Sequence, residues 1–444
     1  MLDGQLTTTI QQKIADGLVA SPPPLTRRTI YVPTIPGKAL AVIGMRRAGK
    51  TYFLWQCLAD RVAAGEPRAA LLYFNFEDER LAGMAASDLQ QLPEAYYLLH
   101  PTWRDQRRVT FFLDEIQNVV GWESFIRRLL DSEQIDIFLS GSSARLLSRE
   151  VATSMRGRAL EVLVHPFSFR EALRYAGAEP DSAVAALPKA RRSALEKALR
   201  AYLQQGGFPE AQAASERDHA ALLRSYVDVA LLRDVVERYQ VSNFTALRWL
   251  VRHLLSSPAA PFSIQKFHDA LRSQGIPVAK DTIYAYLGYL EDAFLVRTVS
   301  LHTASERQRM VNPRKAYPVD PGLIQVFERS GRANLGQALE TVVLLELERR
   351  GAEVGYVRTA AGHEVDFHAQ LPDRSTWLLQ VCADAGDPTT FAREVRALRE
   401  AAALYPTATP LLLTLDFLPP PVALPAGLHW QPATAWLLDE PVAV

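Results

Sequence analysis

One segment constrains this chain more than any other. The apolar run Lys38-Ala39-Leu40-Ala41-Val42-Ile43 passes directly into Gly44-Met45-Arg46-Arg47-Ala48-Gly49-Lys50-Thr51 and then into a helical pattern. G-x-x-x-x-G-K-T between a strand and a helix is a phosphate loop. Its glycines let the backbone wrap closely, so that successive N–H groups face the phosphates. The helix beginning near Lys50 adds the positive end of its dipole. Lys50 is then placed for the β- and γ-phosphates, and Thr51 offers its hydroxyl to Mg²⁺. The expected ligands are ATP and Mg²⁺. The expected contacts are Gly44, Arg46, Arg47, Ala48, Gly49, Lys50, Thr51 and the adjoining Tyr52.

The surrounding pattern predicts a fold able to carry such a loop. Short apolar runs at 39–43, 70–76, 109–113, 135–139 and 160–164 are separated by helix-length segments. That alternation reads as a mainly parallel sheet with crossover helices. The third run ends in Asp114-Glu115. Its strand is expected beside the one feeding the loop, with its end opening on the phosphate crevice. Asp114 is then placed to hold the metal's water shell, and Glu115 to orient and polarise the attacking water. Glu after Asp favours hydrolysis over phosphorylation of a small molecule. The fourth run leads into Ser140-Gly141-Ser142-Ser143, where Ser140 or Ser142 is expected near the γ-phosphate or the nucleophilic water. Arg156 and Arg158, before the last run, are candidates to neutralise transition-state charge, within one subunit or across an interface between copies.

Together GMRRAGKT, FFLDEIQ, LSGSSARLL, SMRGR, HPFSF and YLQQGGFPEA, in this order, resemble the prokaryotic AAA-type ATPases whose P-loop core is joined to a C-terminal domain of uncharacterised role. The similarity runs from about residue 36 to about residue 400. It implies an ATP-hydrolysing core with a helical lid, Arg158 as the family's arginine with Arg156 second, and Gly207 and Pro209 as a lid element against adenine.

The remainder divides by pattern into a leader at 1–35, the core at 36–169, a helical lid at 170–240, a winged helix at 241–320, an α/β nuclease-like domain at 321–430 and an irregular tail at 431–444. The fold class is therefore α/β, a P-loop parallel sheet of AAA type with these additions. Helical patterns at 246–255, 264–273 and 280–292, with strands at 295–301 and 314–319, suggest the winged helix. Between Thr245 and Lys315 there are ten Lys/Arg against five Asp/Glu, a local excess of +5. Such a footprint suits nucleic-acid phosphates. Lys280, Thr282 and Tyr286 on its third helix, and Arg307, Arg309 and Lys315 in or beside the wing, are the expected DNA contacts. Winged helices also serve as protein spacers, so a slow ATP-dependent switch acting on a protein partner stands as the alternative.

Further on, Glu340 in a helix, Asp366 in one strand, and Gln380 and Cys382 in the next resemble a restriction-endonuclease-like site. There two acids bind Mg²⁺ and a lysine activates water. Gln380 and Cys382 stand where the second acid and the lysine belong, which predicts a retained fold without cleavage. His165, His363 and His368 show no ligand spacing.

Composition sets outer bounds. Hydrophobic residues are 48% and charged residues 22%, a globular balance that excludes a largely disordered chain. Lys+Arg and Asp+Glu are both 49, so no global field draws the chain to nucleic acid or membrane. Two cysteines cannot build a disulfide framework. With no apolar run of spanning length and no secretory pattern at the start, the expected location is cytoplasmic. A trans-acting Arg158 would require a homo-oligomer, and branched or single-stranded DNA is the expected nucleic-acid form.

Overall fold

A computed structural model describes residues 2–141, 155, 157–328, 334–420 and 422–439. Ser142 and Arg156 lie outside the described residues. The chain forms two compact units, Met1–His165 and Pro166–Val444.

In the first unit, β1 (Ala39–Ile43), β2 (Leu71–Asn75), β3 (Val109–Asp114), β4 (Ile135–Ser140) and β5 (Ala159–Leu163) form a parallel sheet where the apolar runs predict strands. The order is β2-β3-β4-β1-β5. This corrects one expectation: β3 does not adjoin β1, because β4 lies between them, pairing Phe138 with Leu40 and Leu139 with Leu113. Every residue of β1 and β3 is buried. Strands covered on both faces carry no face pattern that would rank their neighbours. Since all five run the same way, β1, β3 and β4 still end at one edge.

The expected leader is not a separate segment. Residues Leu2–Val19 form helix α1, which buries Ile10 and Ile14 against β2 and α3 (Gln91–Leu99). Those isoleucines are four apart and share one helix face. Leu25, Ile30 and Val32 then pack on the core of Val42, Phe53, Leu54 and Phe112. Helices α2 (Lys50–Ala63) and α4 (Trp122–Ser132) complete the unit.

The second unit opens with α5 (Phe169–Tyr175), α6 (Lys189–Gln205) and α7 (Glu216–Val229), the last continuing through a π-helical stretch at Ala230–Val236. Next come α8 (Phe244–Ser256), α9 (Ile264–Ser273) and α10 (Lys280–Asp292) with a small antiparallel sheet. Its strands β6 (Pro261–Phe262), β7 (Val296–Val299) and β8 (Arg314–Pro318) are ordered β6-β8-β7, with the short helix α11 (Glu306–Val311) between β7 and β8 in the chain. A larger sheet follows α12 (Leu335–Arg349). There β9 (Glu353–Arg358), β10 (Glu364–Gln370) and β11 (Thr376–Cys382) are antiparallel, while β12 (Thr409–Thr414) and β13 (His429–Pro432) add in parallel. Helix α13 (Pro388–Leu404) connects β11 to β12.

Two boundaries are corrected here. The expected lid is not free-standing: Leu173, Leu195, Leu199 and Tyr202 share one core with Leu339, Phe367 and Leu413. The expected irregular tail holds the end of β13 and helix α14 (Ala433–Leu438), whose Ala433, Trp436 and Leu437 are buried in that same core.

Candidate nucleotide-binding site

The loop between β1 and α2 adopts backbone that few side chains tolerate. Gly44 has φ +143°, and a Cβ there would sit 2.2 Å from the Val164 carbonyl oxygen, so only glycine fits. Arg47 and Gly49 also have positive φ, at 67° and 100°. Helix α2 starts directly at Lys50, leaving its first N–H groups toward the loop. Lys50 is 5% exposed, and its Nζ donates to the carbonyls of Gly44 and Met45, each at 3.0 Å. Ala48 is buried, Arg46, Gly49 and Thr51 are half-buried, and Arg47 and Tyr52 are exposed.

A brace under this loop comes from the expected leader, residues 1–35. Arg28 is 6% exposed and donates from its guanidinium to the carbonyls of Ala48, at 2.9 Å, and His165. Its backbone is held by Gln56 of α2, which accepts from the Arg28 N–H at 2.7 Å and donates to its carbonyl at 3.0 Å. Arg28, one of two adjacent arginines in a polar, proline-bearing stretch, gives no sequence signal for this. Its partners are set only by the fold.

At the same sheet edge, Asp114 ends β3 with no solvent exposure. Tyr73 from β2 donates its hydroxyl to Asp114 Oδ2 at 2.7 Å, and Ser140 from β4 donates to Oδ1. Burial, and then the Asp114 charge, hold the Tyr73 hydroxyl protonated far above its usual range. Ser140 thus orients the acid from a fully buried position. Tyr73 had no sequence signal beyond its place in an apolar run. Glu115 follows in left-handed backbone, φ 55° and ψ 38°, and its carboxylate accepts from the side-chain amide of Gln117.

Arg158 stands elsewhere. It precedes β5, its carbonyl accepts from the N–H of Ala39 at 2.8 Å, and its side chain pairs with Asp131. Ala39 begins the parallel strand that ends at the loop, so Arg158 lies roughly 16 Å away, five residues at about 3.3 Å each. It therefore does not reach the loop of its own subunit.

Residues 36–173 match the family model described as AAA domain, and residues 196–332 match one described as a domain of unknown function (DUF8612). The chain is 34% identical over 397 residues to the uncharacterised protein MJ1544 of Methanocaldococcus jannaschii, covering 88% of this chain and 85% of that one. It belongs to that family. An uncharacterised protein of Haemophilus influenzae is 30% identical over 333 residues, covering 75% of this chain and 79% of its own. A Walker-type ATPase structure from Pyrococcus abyssi aligns over 72% of this chain and 94% of that chain at 14% identity and a TM-score of 0.40, a likeness too slight to speak to function. The AAA domain is an ATP-binding P-loop fold, and residues 36–173, which match it, include the loop described above.

Other expected residues of this AAA-domain protein lie in the second unit. Gly207 donates its N–H to Asp320 at 2.6 Å and accepts from the Phe167 N–H at 2.7 Å, so the close approach it permits is to the Phe167 backbone. Pro209 opens a short 3-10 turn. Lys280, Arg307 and Arg309 are exposed, Arg309 pairing with Glu306 at 3.2 Å, and Thr282 is half-buried. Two expected DNA contacts are overturned: Tyr286 is 4% exposed in the core, and Lys315 is 1% exposed among carboxylates. Glu340, Asp366 and Gln380 do come together, with Gln380 Nε2 donating to Asp366 at 3.0 Å and to Glu394 at 2.7 Å. Cys382 sits in an apolar cluster, where burial pushes its thiol up to about 12. His165 is buried, His363 bonds Glu400 at 2.8 Å, and His368 stacks on His302. Among the described residues no helix is long and apolar enough to cross a membrane.

Proposed function

We propose that this protein is an Mg²⁺-dependent ATP hydrolase whose turnover is coupled to DNA held by its second unit. The observation carrying the hydrolytic part is the shared edge, where Asp114 and Glu115 stand at the end of β3 and Lys50 opens the helix after β1, with Asp114 clasped by two hydroxyls. The donor set fits ATP with a divalent metal: backbone amides at a helix start, a buried ammonium, the Thr51 hydroxyl and a buried carboxylate. Bound metal would neutralise charge developing between the phosphates. Lys50 would turn from the Gly44 and Met45 carbonyls toward the phosphate oxygens. Thr51 and Asp114 would hold the metal and its water. Glu115, released from Gln117, would orient the attacking water and take up its proton.

The DNA part rests on three helices packed on a three-stranded antiparallel sheet, the arrangement of a winged helix, with exposed Lys280, Arg307 and Arg309. A slow switch acting on a protein partner is the second reading. It is favoured by Lys50 and Glu115 both resting on groups of their own loops.

Steady-state ATP hydrolysis with and without duplex, branched and single-stranded DNA separates the two. Stimulation of severalfold supports coupling to DNA, whereas slow turnover indifferent to every DNA supports the switch. Lys50→Ala should abolish ATP binding in a fluorescence titration. Glu115→Gln should bind normally and turn over at least about a hundredfold more slowly; near-normal turnover would remove Glu115 from the reaction.

A further inference from the structure

Nucleotide chemistry leaves an enclosed ammonium of the second unit unused. Lys315 lies on β8 at 1% exposure, and carboxylates from two other elements converge on its Nζ. Glu364 of β10 is at 2.8 Å, Glu340 of α12 at 3.0 Å, and Asp366 of β10 at 3.4 Å. Tyr317, two residues along β8 and so on the same face, gives its hydroxyl to the same Glu340 oxygen at 2.7 Å. The other side of Asp366 is closed by the Val381 N–H at 2.9 Å and by Gln380 at 3.0 Å.

Neither half of this cluster could be buried alone. An isolated ammonium in the interior loses its hydration without return, and carboxylates crowded together repel. Each becomes tolerable only through the other. Burial opposes the Lys315 charge, yet the carboxylates more than offset it and raise its pKa. Burial, and then the adjacent Asp366 charge, raise the Glu340 pKa against the pull of the Lys315 ammonium and the Tyr317 hydroxyl. The oxygens stand at ammonium distances, longer than the roughly 2.0–2.6 Å at which Mg²⁺ or Ca²⁺ is held.

We propose that the Lys315 ammonium is the resident cation of this cage. It occupies the place a divalent metal would take among Glu340, Glu364 and Asp366, keeps metal out, and fastens the small β6-β8-β7 sheet to α12 and β10. The fastening has company. Arg297 of β7 bonds Glu348 of α12 at 2.8 Å, and the Tyr356 hydroxyl of β9 reaches the Pro313 carbonyl at 2.8 Å. On this inference the missing acid and lysine of β11 are part of a changed design. The positive charge now enters from a neighbouring sheet, too enclosed to activate a water at a scissile phosphate.

The test is thermal unfolding of the full-length protein in EDTA and in Mn²⁺, with wild type measured alongside so that any metal effect at the phosphate loop is subtracted. Lys315→Ala should melt several degrees lower in EDTA and regain at least half of that loss in Mn²⁺, while wild type shifts little. Adding Asp366→Asn to Lys315→Ala should remove the recovery. A Mn²⁺ response in Lys315→Ala no larger than in wild type overturns the proposal. So does Mn²⁺-dependent cutting of DNA by wild type that is lost in Asp366→Ala. Should Lys315→Ala not fold without metal, expression and purification in Mn²⁺ decides. Folded protein obtained only with Mn²⁺ supports the cage, and failure in both conditions overturns it.

Discussion

Asp114 shows how far one carboxylate can be prepared by its neighbours. Hydroxyls from the strands on both sides, Tyr73 and Ser140, occupy its two oxygens and fix its plane. A hydrogen bond to a charged group contributes about 1.5–3 kcal/mol. Tyr73→Phe removes one such bond with almost no change of volume. The expected result is a rise of about tenfold in the Mg²⁺ concentration giving half-maximal hydrolysis, equivalent to about 1.4 kcal/mol, with metal-free ATP affinity unchanged. A metal titration of steady-state turnover checks it, and a fall in maximal rate alone would show that Tyr73 only supports packing. Asp320 is a second prepared acid, 1% exposed and accepting N–H bonds from Gly207 at 2.6 Å and Gly322 at 2.9 Å. Burial lifts its pKa to about 7 against the pull of those bonds. The unfolded value is about 3.9, so between these values the native chain keeps a proton that the unfolded chain has released. Stability from this group is therefore full below about pH 4 and is lost as pH rises to about 7. Asp320→Asn should lose that slope, and start about 1–3 kcal/mol less stable because its amide N–H₂ meets a backbone N–H. Urea unfolding at several pH values reads both effects.

At the scale of elements, α1 is the clearest case of structure carried by few residues. Ile10 and Ile14 are fully buried, and a Cβ on Gly17 would come within 2.1 Å of the Tyr73 carbonyl oxygen. The helix therefore lies directly on β2, the strand whose tyrosine holds Asp114. Ile14→Ala should cost about 2–4 kcal/mol. Gly17→Ala should also destabilise and should weaken hydrolysis through the displaced Tyr73 strand; urea midpoints and turnover measured together would show the link. Little of this was legible, because two isoleucines among Thr, Gln, Asp and Gly make a weak stripe. The sheet was legible, since five dense apolar runs alternate with helix-length segments, and so was the loop, whose residue types are dictated by close backbone approach. The strand order was not. Runs buried on both faces carry no face pattern, and β4 could be placed between β3 and β1 only by the fold. The end of the chain misled for another reason. Three prolines at 419–421 mark an irregular turn but say nothing of the strand and helix that follow. Lys315 looks like a surface charge in the sequence because Glu340, Glu364 and Asp366 are far along the chain, beyond any local pattern.

For the whole molecule, charge is the property that decides what a nucleic acid would feel. Lys+Arg and Asp+Glu balance at 49 each, so no long-range field assembles such a complex. Affinity must come from exposed cations left without carboxylates. Across 241–320, Arg297, Arg309 and Arg314 are matched by Glu348, Glu306 and Glu291, and Lys315 is internal. Arg248, Arg252, Lys266, Arg272, Lys280 and Arg307 are exposed and make no ion pair among the described residues. Their counterions would be released on binding, which makes affinity fall steeply with salt. Fluorescence anisotropy with duplex DNA over a range of salt should therefore show a strong negative slope of log affinity on log salt. Lys280→Ala and Arg307→Ala should each lower that slope by about one. Lys315→Ala, provided it folds, should leave the slope unchanged, because a charge already enclosed by carboxylates has no counterion to release. Equal loss of slope from Lys280→Ala and Lys315→Ala would mean that DNA binding opens the carboxylate cage. Absence of binding even at low salt would leave the protein-partner switch as the reading of the second unit.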